Sequence, residues 1–310
     1  MKVIRGFKNF PLPPAGAAVA IGNFDGVHAG HQKILKFLSN KARELGLFSL
    51  VLTFSPHPEK ILGEKVTKMI QTLEQRVREI EKFGIEALLL IPFNQKFSSL
   101  SGRQFIQKII VNTLKAKAVV VGQNFRFGKN REGDILLLRK LASEFDFQVD
   151  SIPAVKEKGM TASSSLIRSL LQRGKVAEAN LMLGRTYEIE GKVIKGKSRG
   201  KSMGFPTANI ETKNEIVPPG IFVSTVSIGS QTFPSLTNVG DCPTFNQKET
   251  NIESYIINFE KNLYGETIRI GFIKKIRDEK KFKTEEGLKA QIKKDLQIAK
   301  NYFKLKDYNS

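Results

Sequence analysis

The chain has 310 residues, enough for two domains of ordinary size, and its 40% hydrophobic content holds no run approaching a membrane span. One cysteine, Cys242, excludes an internal disulfide framework and suits a reducing cytoplasm. Lys and Arg outnumber Asp and Glu by 50 to 30, giving a formal net charge of +20. No zinc-finger, RNP or basic-zipper pattern accompanies that charge, so it reads as a lysine-rich bias with a preference for anionic substrates rather than as a nucleic-acid surface.

Lys2 and Arg5 precede an apolar Ala-Gly-Ala-Ala-Val-Ala stretch that superficially resembles a signal peptide. Pro11, Pro13 and Pro14 interrupt it, and its apolar part runs directly into a glycine loop, so it reads as the first strand, Ala17–Gly22. The loop is Gly22-Asn23-Phe24-Asp25-Gly26-Val27-His28-Ala29-Gly30-His31, and a helical stretch, Gln32–Leu45, follows it. Two of the chain's three histidines stand there, at the helix N-terminus. Backbone N–H groups and the positive end of the helix dipole meet at such a point and suit a triphosphate, and imidazoles add donors as charge builds in a transition state. A zinc pair on a helix is usually spaced i, i+4, and no Cys or acidic cluster accompanies these two. The Gly-x-Phe-Asp that precedes them, after a strand, makes a chance match a poor explanation.

Further strands are expected at Phe48–Phe54, Ala87–Ile91, Ala118–Gly122 and Phe147–Ile152, with helices between them. Thr72 with Gln75, and Ser101 with Gln104, have the spacing of capping boxes. Strands alternating with helices predict a parallel sheet covered on both faces, with ligands beyond the carboxyl ends of its strands. Three motifs fall at those ends: the histidine loop, Thr53-Phe54-Ser55-Pro56-His57-Pro58, and Gly122-Gln123-Asn124-Phe125-Arg126-Phe127-Gly128. Phe125 and Phe127 read equally well as core, and His57, between two prolines, as a loop-ordering residue.

Near Gly184–Arg185 the texture changes to period-two alternation, at Tyr187–Val193, Ile221–Ile228, Ser254–Phe259 and Thr267–Phe272. This predicts an antiparallel sheet or barrel, closed by a helix over about 284–303. Two domains are therefore expected, 1–184 and 185–310. Gly191–Ser198 matches the Walker A pattern letter for letter, but its interior looks like strand, and Gly200, Gly204 and Pro206 prevent a helix directly after it. Gly196, Gly200 and Gly204 recur every four residues among Lys and Arg, ahead of Phe205-Pro206-Thr207-Ala208-Asn209. That segment is either a flexible basic loop or a phosphate cradle, in which Thr207 and Asn209 offer oxygen ligands suited to Mg²⁺. Glu253 heads an apolar strand and reads as a solvent-facing strand residue or as a base.

The histidine loop resembles the (H/T)xGH signature of the nucleotidyltransferase superfamily. Gly204-Phe205-Pro206-Thr207-Ala208-Asn209, Asn238-Val239-Gly240-Asp241-Cys242-Pro243-Thr244-Phe245, Glu253-Ser254-Tyr255, Leu263-Tyr264-Gly265 and Arg277-Asp278-Glu279-Lys280-Lys281-Phe282 are similar to riboflavin kinase. With Ser163-Ser164-Ser165-Leu166-Ile167-Arg168, the whole chain resembles the bacterial bifunctional riboflavin kinase/FAD synthetases. The resemblance implies a Rossmann-like nucleotidyltransferase domain followed by a β-barrel, both using ATP and Mg²⁺ to convert riboflavin to FMN and FMN to FAD. It implies catalytic roles for His28, His31 and Glu253. Gly22, Phe24, Asp25, Gly30, Ser164, Arg168, Gly196, Gly200, Gly204 and Pro206 would contact ATP phosphates. Asn124, Phe125, Arg126, Phe127 and Arg277 would contact flavin, and Thr207 and Asn209 would hold the metal. Cys242 stands where Arg is common in relatives, and Lys280 where Gln is usual. Small-molecule partners are expected, with no nucleic acid and no membrane; the oligomeric state is not legible.

Overall fold

Alternation within each apolar run explains the first half of the chain. In the computed structural model, which describes residues 1–8, 10, 13–63, 67–196, 200, 203–243 and 248–304, six strands form one sheet. They are β1 (Lys2–Arg5), β2 (Ala17–Ile21), β3 (Phe48–Phe54), β4 (Ala87–Ile91), β5 (Ala116–Gly122) and β6 (Gln148–Ile152), in the order β1-β4-β3-β2-β5-β6. All neighbouring pairs are parallel. Ala17, Val19 and Ile21 of β2 enter one apolar cluster and Ala18 and Ala20 the other, so both faces are covered and the run is apolar throughout.

The helices are α1 (Ala29–Leu45), α2 (Pro58–Leu62), α3 (Leu73–Glu81), α4 (Gln95–Ser98), α5 (Gly102–Phe105), which continues as a π-helical stretch over Ile106–Thr113, and α6 (Ile135–Phe145). Both expected capping boxes form, Thr72 with Gln75 on α3 and Ser101 with Gln104 on α5. β1 corrects the expectation that Ala17–Gly22 is the first strand. It buries only Ile4 and, among the described residues, pairs with β4 alone, so no apolar pattern announces it. The strand order reverses between β2 and β5, and the loops leaving their carboxyl ends are the histidine loop and Gly122–Gly128. Crevices at such reversals are where open parallel sheets bind ligands.

The chain divides into two compact units, Met1–Ser164 and Ser165–Ser310. A two-stranded ribbon, β7 (Lys156–Glu157) with β8 (Met160–Thr161), ends the first. Helix α7 (Ser164–Gln172) starts at the division, and α8 (Val176–Leu183) ends on Gly184, whose φ of 65° fits glycine.

The second unit is a closed antiparallel barrel in the order β10-β13-β12-β11-β14-β9. Its strands are β9 (Tyr187–Ile194), β10 (Ala208–Thr212), β11 (Gly220–Ile228), β12 (Gln231–Pro243), β13 (Lys248–Ile256) and β14 (Thr267–Arg277). Helix α9 (Glu285–Tyr302) follows, capped by Thr284. β10 and β12 were not among the expected runs. β10 is five residues long with only Ile210 buried, and β12 breaks its apolar alternation with Pro234 and with interior Ser235 and Thr237. The run expected at Ser254–Phe259 instead ends β13 at Ile256, where Asn258, at φ 57°, turns the chain.

Along β11 successive residues face opposite ways. Phe222, Ser224 and Val226 are buried, while Ile221 and Val223 join the apolar cluster that receives Ala299 and Leu296 of α9. Ser224 contacts Ser235 (2.8 Å) and Thr237 (2.7 Å), and Thr237 contacts Ser254 (2.9 Å), so these fully buried hydroxyls satisfy one another.

Candidate active sites

The histidine loop is held by its carbonyls. The Asn23 carbonyl accepts from the Thr53 hydroxyl (3.1 Å) and from Nη1 of Arg76 on α3 (2.8 Å). The Asp25 carbonyl accepts from the Ser164 hydroxyl (2.8 Å), and the Val27 carbonyl from Nε2 of Gln32 (2.9 Å). In a trans peptide the C=O and the following N–H point oppositely, so the Phe24, Gly26 and His28 N–H groups each turn away from the side chain that holds the carbonyl. Phe24 and Val27 are fully buried with φ of 50° and 38°, a left-handed backbone that these surroundings enforce. The Asp25 carboxylate is buried and accepts the Ile70 N–H on both oxygens, at 3.1 and 3.2 Å.

His28 caps α1, its Nδ1 accepting the His31 N–H at 3.4 Å. The two imidazoles stack with centroids 3.7 Å apart, and Phe24 leans on His31 at 5.1 Å. A Cβ on Gly30 would meet the His28 ring at 3.1 Å, and one on Gly22 would meet the Phe24 ring at 3.2 Å, so both glycines are there for close approach. His57 caps α2, its Nδ1 accepting the Glu59 N–H at 3.3 Å, as a loop-ordering residue would.

After β5, Asn124 and Arg126 are exposed and Phe125 is half-buried. Phe127 is core, stacked on Phe125 at 5.4 Å and packed under Gly133. Arg126 lies 3.5 Å from Asp134, whose carboxyl the Leu137 N–H, at the start of α6, holds below its ordinary range. Arg168 stands four residues beyond Ser164 on α7, on the same side of that helix, and belongs to the second unit.

In the second unit a cavity of about 670 Å³, a size usual for small-molecule sites, opens between the outer face of the barrel and α9. Glu253 lines it from β13, with Asn209 opposite on β10 and Asn238 opposite on β12, so the three form one row across three strands. Asn251 Nδ2 donates to Glu253 Oε1 at 2.8 Å and orients the carboxylate. Asn238 Oδ1 is buried without a partner among the described residues.

Over this row the glycines of the expected cradle come close. A Cβ on Gly196 would run into the Asn209 carboxamide, and one on Gly200 into the Phe205 carbonyl and Thr207 Oγ1. Gly204 has φ 85°, and Pro206 is exposed. Thr207 and Asn209 thus lie against the two glycines, as neutral oxygen donors of the kind that leave Mg²⁺ to be shared with substrate phosphates. Lys197, Ser198, Arg199, Lys201, Ser202, Thr244 and Phe245 lie outside the described residues, as does the side chain of Cys242. The Walker A match fails for the expected reason: Gly191–Ile194 belongs to β9.

Arg277 also lines the cavity, but its guanidinium is engaged. Nε and Nη2 bind the Asp295 carboxylate at 2.7–3.1 Å, and Nη1 donates to the Asp278 carbonyl at 2.9 Å. Gln291 donates to the same carboxylate at 2.9 Å.

A family model described as FAD synthetase matches residues 12–166, and one described as riboflavin kinase matches residues 183–303. A bifunctional riboflavin kinase/FMN adenylyltransferase of Buchnera aphidicola subsp. Schizaphis graminum is 37% identical over 98% of this chain and 100% of its own. The chain belongs to the bifunctional riboflavin kinase/FMN adenylyltransferase family. The Bacillus subtilis member is 38% identical over 93% of both chains. A solved Streptococcus pneumoniae structure described as a macrolide-efflux protein is 30% identical, covers 97% of this chain and 99% of its own, and superposes with a TM-score of 0.89. Among the described residues no helix is long and apolar enough to cross a membrane.

Arg76 and Asn251 lie outside every motif named from the sequence, and Thr53 and Asn238 stand inside such motifs without a role of their own having been assigned. In this family member Asp295→Ala would leave the Arg277 guanidinium against the barrel without its counter-charge. We expect the variant to lose about 3 kcal/mol of stability, seen as a lowered thermal transition of the C-terminal unit.

Proposed function

We propose that the barrel cavity phosphorylates riboflavin with ATP to FMN, and that the histidine loop adenylylates FMN with ATP to FAD and pyrophosphate. The observation that carries this reading is the Asn209–Glu253–Asn238 row, with Gly196 and Gly200 close against Asn209 and Thr207, in one unit, together with a His-capped loop in the other. The boundary between the activities is placed at Gly184–Arg185. α8 ends there, and the two family matches leave 167–182 between them.

In the kinase reaction the nucleophile is a neutral ribityl hydroxyl, which benefits from a base. Glu253, oriented by Asn251, takes the proton as the hydroxyl oxygen attacks the γ-phosphorus and ADP leaves. Asn238 Oδ1 accepts from a substrate hydroxyl beside it. Gly196, Gly200, Gly204 and Pro206 pass the backbone close to the ATP phosphates, and Arg277 holds α9 where it borders the flavin. Thr207 and Asn209 would hold Mg²⁺, which supplies charge neutralisation to the phosphates when bound.

In the transferase reaction an oxygen of the FMN phosphate, already an anion, attacks the α-phosphorus and pyrophosphate leaves. No protein base is needed, so the site's work is positioning and charge stabilisation. His28 and His31 donate to the phosphates. Gly22, Phe24, Asp25 and Gly30 shape the loop that presents backbone N–H groups. Ser164, its hydroxyl donated to the Asp25 carbonyl, fixes the loop for the pyrophosphate end. Asn124, Phe125 and Arg126 meet the flavin, with Phe127 backing Phe125. A single cysteine suits the cytoplasm, where we place the protein.

The reading is tested by separating flavins after incubation of the protein with riboflavin, ATP and Mg²⁺. FMN and FAD should both accumulate, and chelating the Mg²⁺ should stop both. Failure to form FMN would overturn the cavity assignment, and failure to convert supplied FMN would overturn that of the loop.

A further inference from the structure

Arg76 is buried at 7% exposure on α3, a helix that contributes no residue to the reading above. Among the described residues, its guanidinium makes one hydrogen bond, from Nη1 to the Asn23 carbonyl, and its Nε is buried with no hydrogen-bond partner. Burial pulls its proton affinity down, and the Asp25 carboxylate opposes that pull. A buried cation is costly unless its surroundings compensate it. What it does contact is the peptide linking Asn23 to Phe24, within the histidine loop. A charged donor on a carbonyl polarises its peptide and strengthens the N–H at the other end as a donor. That N–H is Phe24's, turned away from Arg76. The guanidinium also places a desolvated positive charge one peptide unit behind the loop, where a low dielectric makes it felt.

We propose that Arg76 is a positioning residue for adenylyl transfer, holding and polarising the Asn23–Phe24 peptide for the ATP phosphates and adding a buried positive charge beneath them. This rests on the reading of the histidine loop as the ATP site.

The test compares Arg76→Gln and Arg76→Lys with the parent chain, each with FMN and ATP supplied and FAD formation measured over a range of ATP. Gln keeps a donor for the Asn23 carbonyl but not the charge, and Lys keeps both. Arg76→Gln should raise KM for ATP on the order of tenfold, with KM for FMN little changed, and Arg76→Lys should recover most of the loss. A role in stability alone would reduce the folded fraction and hence the apparent kcat, but would not move KM for ATP. Unchanged KM for ATP in Arg76→Gln overturns the proposal, as does an Arg76→Lys variant as impaired as Arg76→Gln. Should the Gln chain not fold, a KM for ATP close to parental in Arg76→Lys supports the proposal, and one raised tenfold counts against it. His28→Ala, run alongside, separates the two levels: if it still makes FAD at the parental rate, the site reading itself fails and takes this proposal with it.

Discussion

His28→Ala is expected to stop the conversion of FMN to FAD while riboflavin is still converted to FMN. The imidazole does two things in the structure: it caps α1 through Nδ1, and it stacks on His31 over Gly30. With Nδ1 accepting the His31 N–H, a neutral ring carries its proton on Nε2, so the donor it would offer in the proposed phosphate contact is defined by the fold. Removing one preorganised donor from a charge-stabilising site costs on the order of 10²–10³ in kcat, and here the position of His31 is disturbed as well. Asparagine caps helices as well as histidine does, so His28→Asn should restore the helix start without restoring the rate. Following both flavins in one reaction by chromatography makes the comparison internal: riboflavin consumption proceeds, FMN builds up and FAD does not appear. Equal loss of both products would count against two separate sites.

Glu253→Gln is expected to do the converse. The substitution preserves size and the contact with Asn251, but an amide cannot take the ribityl proton. General-base removal costs roughly 10²–10⁴ in rate. FMN supplied from outside should still become FAD at the parental rate. Because Glu253 is the middle of a row whose outer members are Asn209 and Asn238, a loss confined to kcat would mark it as the base. A rise in KM for ATP alone would point instead to a role in holding the nucleotide. An unchanged kinase rate would remove it from the mechanism.

The parallel sheet was legible because its strands are buried on both faces. Runs such as Ala17–Ile21 and Ala87–Ile91 are apolar without interruption, and the helix starts carry caps whose hydrogen bonds form as spaced. β1 and β10 were not legible, because a strand that buries a single side chain leaves almost no pattern. β12 was hidden for a different reason. Its inward face carries Ser235 and Thr237, whose hydroxyls find partners only when β11 and β13 fold beside them, and no local rule marks a polar residue that will be satisfied across strands.

The same distinction separates the site residues. His28, His31 and the glycines announce themselves by spacing. Arg76 does not: in Leu73–Glu81 it is one charged residue on a largely polar helix, and only its place one turn before Ile80 hints that it faces inward. Asn238 acquires meaning from the register that sets it opposite Glu253, a property of strand pairing, whereas Asn251 stands beside Glu253 through the two-residue period of their shared strand. The row of glycines at 196 and 200 was ambiguous as composition and became specific once Asn209 and Thr207 lay against them.

The two sheets also differ in what they offer to a neighbouring molecule. Among the described residues, closure of β9 onto β10 leaves the barrel without an open side, whereas the parallel sheet ends in two open margins, β1 and β6. An open margin invites another chain to add a strand, and repeated addition is the beginning of aggregation. Both margins here are poor templates. β1 is four residues long, with exposed Lys2 and Arg5 at its ends, and β6 sets Gln148, Asp150 and Ser151 among its five residues, with Asp150 paired to Lys41 at 3.6 Å. The features that made β1 hard to find in the sequence, brevity and charge, are the ones that keep this side of the protein from propagating into its neighbours.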